Sequence, residues 1–243
     1  EAGLEFLFGG VAFKFGAAPF HMWVPDVYDG ASTSVTLFIS TAPKVAAFAL
    51  AVRLLVEAMP GLRVASQDIF IVISVLSIVI GNLAALAQDS IKRMLAYSSI
   101  AHIGYMLLGF CAVTPRGDAA SMFYIITYAL TTLVAFGMLA ILSRAGFESD
   151  KIDDLRGLSA RNPWLALVMM MSLFSMAGIP PFVGFIAKVG VLEALIDAHL
   201  VWLAVFAILF AIIGSYYYLR VVKTMYFEEP AVRTPLVCAL DNK

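Results

Sequence analysis

The chain has 243 residues, of which 62% are hydrophobic and only 14% charged, with a formal net charge of -1. Its mean hydropathy of +0.92 lies outside the range of soluble domains, which need far more charge to cover their surface. The near-zero charge excludes a basic nucleic-acid binder, so no nucleic acid is expected as a partner, and the lipid bilayer is the expected solvent.

Residues Glu1 to Gly10 enter an apolar segment without an initiator Met, a basic n-region or a cleavage site, and the chain is read as a fragment. Crossing a hydrocarbon core of about 30 Å takes about 20 helical residues. Seven apolar runs meet that length, at about 4–24, 33–57, 68–88, 94–113, 119–143, 163–197 and 200–226. The fold class is an all-α polytopic membrane protein with about seven transmembrane helices. No alternation of the kind that builds a membrane barrel is visible.

The first run is interrupted at Phe15-Gly16-Ala17-Ala18-Pro19 and carries Lys14. The second carries Lys44, preceded by Ser40 and Thr41 on the same side of the helix and by Pro43, which frees the carbonyl of Ile39. In the fourth run Ser98, Ser99, His102 and Tyr105 recur at spacings of three and four and form a polar stripe. His102 reads either as a satisfied core residue or as a member of a proton relay. Thr127, Tyr128, Thr131 and Thr132 make a second stripe in the fifth run, best suited to interhelical hydrogen bonding.

The sixth run contains Met176-Ala177-Gly178-Ile179-Pro180-Pro181, where two prolines free the carbonyls of Met176 and Ala177 and break the helix. Lys188 lies about two turns beyond, close enough for water to link it to those carbonyls. Glu193 is five residues further on, about 140° round the helix, and is not expected to pair with Lys188. Two interrupted helices in corresponding places suit a transporter built from internal repeats, with the ion site at the breaks; two simple proline kinks are the alternative.

A lysine at the bilayer centre costs roughly 2.5 to 3.5 kcal/mol on insertion scales. Snorkelling would remove that cost, but Lys44 is about 13 Å from its nearer polar edge and Lys14 about 18 Å from Asp26, beyond the reach of one side chain; for Lys188, with Glu193 and Asp197 following, snorkelling stays the alternative. Lysine suits proton transfer because an ammonium taken out of water releases its proton more readily than one in water. Lys14, Lys44, Lys188 and His102 are therefore the candidate site residues, as members of a proton path.

The connections sort by charge. Lys92, Arg93, Arg144, Lys151, Arg156, Arg161, Arg220, Lys223 and Arg233 fall on one side, and Arg53, Arg63 and Arg116 on the other. The positive-inside rule makes the first side, with the Ser143 to Asn162 loop, cytoplasmic. This alternation also requires the sixth run to be a single crossing. Cys111 and Cys238 have no metal or redox spacing and read as apolar fillers. Neither a phosphate loop nor a haem ligand pair is apparent, so no cofactor or metal is expected in this chain.

Several longer motifs point to one family. They are Phe13-Lys14 with Pro19-Phe20-His21-Met22-Trp23-Val24-Pro25-Asp26, Thr41-Ala42-Pro43-Lys44, and Gly81-Asn82-Leu83-Ala84-Ala85-Leu86. Others are Ile91 through Tyr105, Ala177-Gly178-Ile179-Pro180-Pro181 with Gly184-Phe185-Ile186-Ala187-Lys188, and Tyr216-Tyr217-Tyr218-Leu219-Arg220. Together they resemble the antiporter-like, proton-translocating membrane subunits of respiratory complex I, the NADH:quinone oxidoreductase. The tyrosine triplet and Lys44 look most like the subunit N (subunit 2) type.

The resemblance implies an inverted-repeat antiporter-like fold. Residues 1–57 would end the first repeat with two helices, 58–227 would form the second with five, and 228–243 would be a truncated C-terminal segment. Lys14 would be the lysine of the first broken helix, Lys44 the connecting lysine and Lys188 the lysine of the second broken helix. The glutamate that partners the first lysine in the family is absent here. Implied partners are other membrane subunits of complex I, in the bacterial inner membrane. Quinone, flavin and iron–sulfur clusters would belong to other subunits, so the chain would be part of an enzyme without doing redox chemistry itself. A subunit of a multisubunit cation/proton antiporter or membrane-bound hydrogenase, and a structural membrane subunit without an ion path, remain alternatives.

Overall fold

In the computed structural model, which describes residues 2–58, 61, 63–64, 66–143 and 150–229, the described residues form ten α-helices, nine from the apolar runs and one short helix from the connection before the sixth run. They are α1 (Ala2–Phe15), α2 (Trp23–Gly30), α3 (Thr33–Val52), α4 (Gln67–Leu86), α5 (Ile91–Cys111), α6 (Pro115–Leu142), α7 (Leu158–Arg161), α8 (Pro163–Ala177), α9 (Val183–Asp197) and α10 (Val201–Phe227). A π-helical turn, Arg53–Ala58, prolongs α3. Arg144, Arg233 and Cys238 lie outside the described residues.

Local chemistry sets the helix starts. Ser90, Thr114 and Asn162 each accept a hydrogen bond from a backbone N–H in the first turn of α5, α6 and α8, through Arg93, Gly117 and Leu165. These residue types satisfy the N–H groups that a helix start leaves unpaired. Pro115 and Pro163 follow at the first helical position, where a proline loses nothing. The interrupted runs break where expected: α1 ends before Gly16 and α8 before Gly178, both at positive φ, and each glycine has a proline three residues on.

α3, α4, α5, α6 and α10 are each long and apolar enough to cross a membrane. α8 and α9 together make one further crossing alongside α6. Ser172 of α8 donates to the Thr131 carbonyl halfway along α6, and Glu193 and Asp197 of α9 pair with Arg116 at its start. The pair therefore runs the length of α6 in the opposite direction, as the alternation of loop charges requires. The broken run α1–α2 makes a comparable passage, since Phe8 packs in one apolar cluster of the core and Val24 and Tyr28 in the other.

Ion pairs gather at the two ends of the bundle. Arg93 with Asp26 and Asp29, Lys92 with Asp150, Arg156 with Asp153 and Glu228, and Arg220 with Asp89 mark one end. Arg63 with Asp118, and Arg116 with Glu193 and Asp197, mark the other. At the first end the chain around Asp150 is tied down by Ile91 N donating to the Asp150 carbonyl and Ile152 N to that of Asp89.

α5 is the least apolar of the five long helices, yet 94% of its apolar window is buried, against 33–50% for the others. A polar helix surrounded on all sides is kept from lipid, which is where polar groups at membrane depth are tolerated. Along α5 the apolar core changes over between Ile100, in one cluster, and Ile103, in the other. His102 sits on that seam, near the middle of the helix.

Candidate functional site

The seam between the two apolar clusters is polar, and the side chains lining it come from α2, α3, α4, α5, α6, α9 and α10. From α3, Lys44 is only 2% exposed and donates from Nζ to Ser99 Oγ of α5 at 2.7 Å. Ser99 Oγ in turn donates to the Ala96 carbonyl at 2.7 Å. The same ammonium lies 5.6 Å from the ring centroid of Tyr28 on α2 and 5.5 Å from that of Tyr128 on α6, within cation–π range. Ser40 and Thr41, expected beside Lys44, are buried but return their hydroxyls to carbonyls of α3 itself, at Leu37 and Phe38. A short hydroxyl on a helix reaches its own preceding turn more easily than a group one turn ahead, so the hydroxyl on Lys44 comes from α5.

His102 is the central group of the seam, 6% exposed. Its Nδ1 is 2.8 Å from the Tyr124 hydroxyl and its Nε2 is 2.9 Å from the Tyr218 hydroxyl. Tyr218 is also hydrogen-bonded to Ser98. A neutral imidazole donates from one nitrogen and accepts at the other, so a proton arriving on one tyrosine side and leaving on the other reverses the direction of the chain Ser98–Tyr218–His102–Tyr124. The Tyr128 ring lies tilted against the His102 ring, with centroids 5.0 Å apart, and so meets both His102 and Lys44. Both Lys44 and Lys188 lie within Coulombic range of His102.

Lys188 is half-buried and donates from Nζ to the Ala177 carbonyl at 2.8 Å, with the Tyr105 ring 5.2 Å away. The carbonyl freed by the prolines is the one expected, but the lysine meets it directly and not through water. The break lets α9 begin beside the end of α8. Gly184 N donates to Ser175 Oγ, and a Cβ on Gly184 would lie 1.8 Å from the Ser175 carbonyl oxygen. Because helical side chains lean toward their helix N-terminus, Lys188 points into the break and away from the polar end that holds Glu193 and Asp197. Those two carboxylates pair with Arg116, consistent with Glu193 not pairing with Lys188. A cavity of about 10 Å³ between Asn82, His102, Tyr105, Lys188, Tyr217 and Tyr218 joins the lysine to the histidine chain; that is about the space one water needs.

Lys14 is placed differently. It is exposed in the last turn of α1, outside the network formed by Lys44, His102 and Lys188. In the fifth-run stripe, Thr131 returns its hydroxyl to α6, at the carbonyls of Thr127 and Tyr128. The interhelical bond is made by its carbonyl, to Ser172. Tyr28, Tyr124 and Tyr218 were not singled out by the sequence as site residues. Only Tyr218, inside the tyrosine triplet, had a visible signal.

Residues 2–214 match the family described as NADH:quinone oxidoreductase/Mrp antiporter, TM. The chain belongs to this family. It is 63% identical over 242 residues to the NADH-quinone oxidoreductase subunit N of Coxiella burnetii, a match covering 99% of this chain and 50% of that protein. To the corresponding subunit N of Herminiimonas arsenicoxydans it is 54% identical over 247 residues, with 98% and 50% covered. The chain thus spans about half the length of the curated relatives it matches. Among solved structures it resembles a chain of respiratory complex I from Thermus thermophilus with bound Aureothin, at a TM-score of 0.82 and 37% identity over 96% of this chain and 51% of that one. It also resembles a chain of the Mrp complex from Dietzia sp. DQ12-45-1b, at a TM-score of 0.85 and 27% identity over 93% and 42%. The fold is the all-helical, antiporter-like one expected from the motifs, and this family member is a multi-pass protein of the bacterial inner membrane.

Proposed function

We propose that the protein containing this chain translocates protons across the membrane as a subunit of NADH-quinone oxidoreductase, with Lys44, His102 and Lys188 as the central segment of the path. The observation that carries this reading is the polar seam at mid-depth, in which His102 is hydrogen-bonded on both ring nitrogens and lies within Coulombic range of two lysines. Buried ionisable groups at this depth are costly unless they are used. A proton on Lys44 is passed toward Ser99 and the tyrosines. His102 relays it by exchanging the roles of its two nitrogens. Lys188 receives it beside the Ala177 carbonyl, whose partial negative charge at a helix end favours the ammonium.

Lys14 belongs to the path at the first break, where the rest of the full-length protein would cover its exposed side. Residues 1–57 close a first inverted repeat and 58–227 form the second, a reading supported by the matching glycine and proline of the two breaks. Quinone reduction and its cofactors lie in other subunits, the membrane subunits among them being this chain's partners, and this chain supplies only the proton path to the enzyme. A second reading is exchange of another cation against protons, favoured by the likeness to the Mrp complex.

The test is Lys188→Ala and Lys188→Arg in the full-length protein, with the assembled complex reconstituted in vesicles. Proton uptake is read with a pH-sensitive dye beside NADH-driven quinone reduction. Alanine is expected to remove most coupled pumping, and arginine to restore little, because it keeps its charge but does not release its proton. Full pumping by the arginine variant would mean that a fixed charge suffices. Pumping that requires added sodium would favour the second reading.

A further inference from the structure

We propose that Tyr28 and Tyr128 form an aromatic cage that holds the Lys44 ammonium, making the segment after the first helix break a positioning element for the proton on Lys44. The inference rests on the proton-path reading above and adds to it a residue from another part of the chain.

The cage is two-sided. Lys44 Nζ is 5.6 Å from one ring and 5.5 Å from the other, both inside the roughly 6 Å within which a ring quadrupole attracts a cation. Ser99 Oγ at 2.7 Å supplies a third contact, and no carboxylate pairs with Lys44 among the described residues. That combination suits a group that must both hold and release a proton. A carboxylate counter-ion in this buried seam would hold the charge much more strongly than ring faces and a neutral hydroxyl do.

Tyr28 is held in place by contacts that leave its ring free to act. Its carbonyl accepts from Thr36 Oγ1 at 3.1 Å, and the next residue, Asp29, accepts from Ser90 Oγ at 2.8 Å. Phe136 meets the ring in a T-shaped arrangement with centroids 5.8 Å apart. The Tyr28 hydroxyl is buried without a well-formed hydrogen bond and lies near Ser99, so what this residue offers directly to Lys44 is its ring face. Tyr128 carries the arrangement onward through its contact with the His102 ring. A displacement of α2 at the first break would therefore change how firmly Lys44 keeps its charge, without any covalent or ionic link between them.

Fluorinated phenylalanines at position 28 test this in the full-length protein within its assembled membrane complex, because successive fluorines weaken the ring quadrupole while nearly preserving its size. Tyr28→Phe is the reference for the series, because it keeps the ring and removes only the hydroxyl. Pumping per electron should then fall stepwise across mono-, di- and trifluorophenylalanine, with Tyr28→Leu lowest at a loss of about threefold or more. Lys44→Ala is the control, and the amount of assembled complex normalises every variant. A flat fluorine series beside a defective Lys44→Ala overturns the cage alone. A loss in Tyr28→Phe as large as in Tyr28→Leu also overturns it, by assigning the role to the hydroxyl. Normal pumping by Lys44→Ala overturns the proton-path reading and the cage with it.

Discussion

Lys188 donates a hydrogen bond to the carbonyl of Ala177, a residue eleven positions earlier and on the far side of a helix break. The prolines open the break, Gly178 turns the chain through positive φ, and the close approach at Gly184 brings the start of α9 beside the end of α8. An ordinary continuous helix would bond that carbonyl internally and leave the lysine nothing but lipid or a long reach to water.

Gly178→Ala should separate the lysine from its carbonyl. A Cβ there would lie 2.8 Å from Lys188 Cδ and 3.1 Å from its Nζ, at φ +81. The left-handed conformation costs a residue with a Cβ about 1–2 kcal/mol, and the flexible lysine should move aside. The expected result is an assembled complex with a lowered unfolding temperature and a pumping defect approaching that of Lys188→Ala. Gly190→Ala is the matched control, since its Cβ would meet only the Ala120 methyl at 3.9 Å. Equal pumping by both alanine variants would contradict the role given to the Ala177 contact.

The end of the bundle carrying Arg93, Arg156 and Arg220 is expected to be cytoplasmic. Lys151 is exposed at that end and Glu57 at the opposite one. In a cysteine-free background, Lys151→Cys should resist an impermeant maleimide in spheroplasts and react in inverted vesicles, and Glu57→Cys should behave in the reverse way. Labelling of Lys151→Cys in spheroplasts would invert the orientation.

Arg116→Gln removes two ion pairs, to Glu193 and to Asp197, whose side chains are all more than half exposed. Exposed pairs contribute little, so the variant should lose less than about 1 kcal/mol of stability. Pumping should be unchanged within error, since the pairs hold the polar end of α9 and not Lys188. A pumping defect comparable to that of Lys188→Ala would connect Arg116 to the proton path.

Much of this site is legible in the residues because lysine is expensive in a membrane and therefore conspicuous there. Lys44, Lys188 and the His102 stripe stand out from apolar runs without any knowledge of their neighbours. Tyrosine does not stand out in the same way. Its ring is at home in an apolar core and only its hydroxyl asks for a partner, so Tyr28 and Tyr124 look like ordinary core residues until α2 and α6 are packed against α5. Even the triplet is ambiguous, because successive residues are 100° apart: Tyr216 is mostly exposed while Tyr217 and Tyr218 are buried. Ser40 and Thr41 mislead for the opposite reason, since sharing a helix face with Lys44 does not stop them from bonding their own backbone.

The sequence alone determined that the chain lives in a membrane, roughly where its crossings lie, that two of them are interrupted, and which charges lie too deep to be solvated. Those properties follow from hydropathy, proline and glycine chemistry and the cost of burying charge, all of which act within a few turns of helix. Only the tertiary structure decided who meets whom: Ser99 and the two tyrosine rings at Lys44, Tyr124 and Tyr218 at His102, and Ala177 at Lys188, with Lys14 exposed in the last turn of α1. The reason is physical. Hydrogen bonds and cation–π contacts act over a few ångströms between side chains as far as 135 residues apart in the chain, and that proximity exists only once the helices have packed.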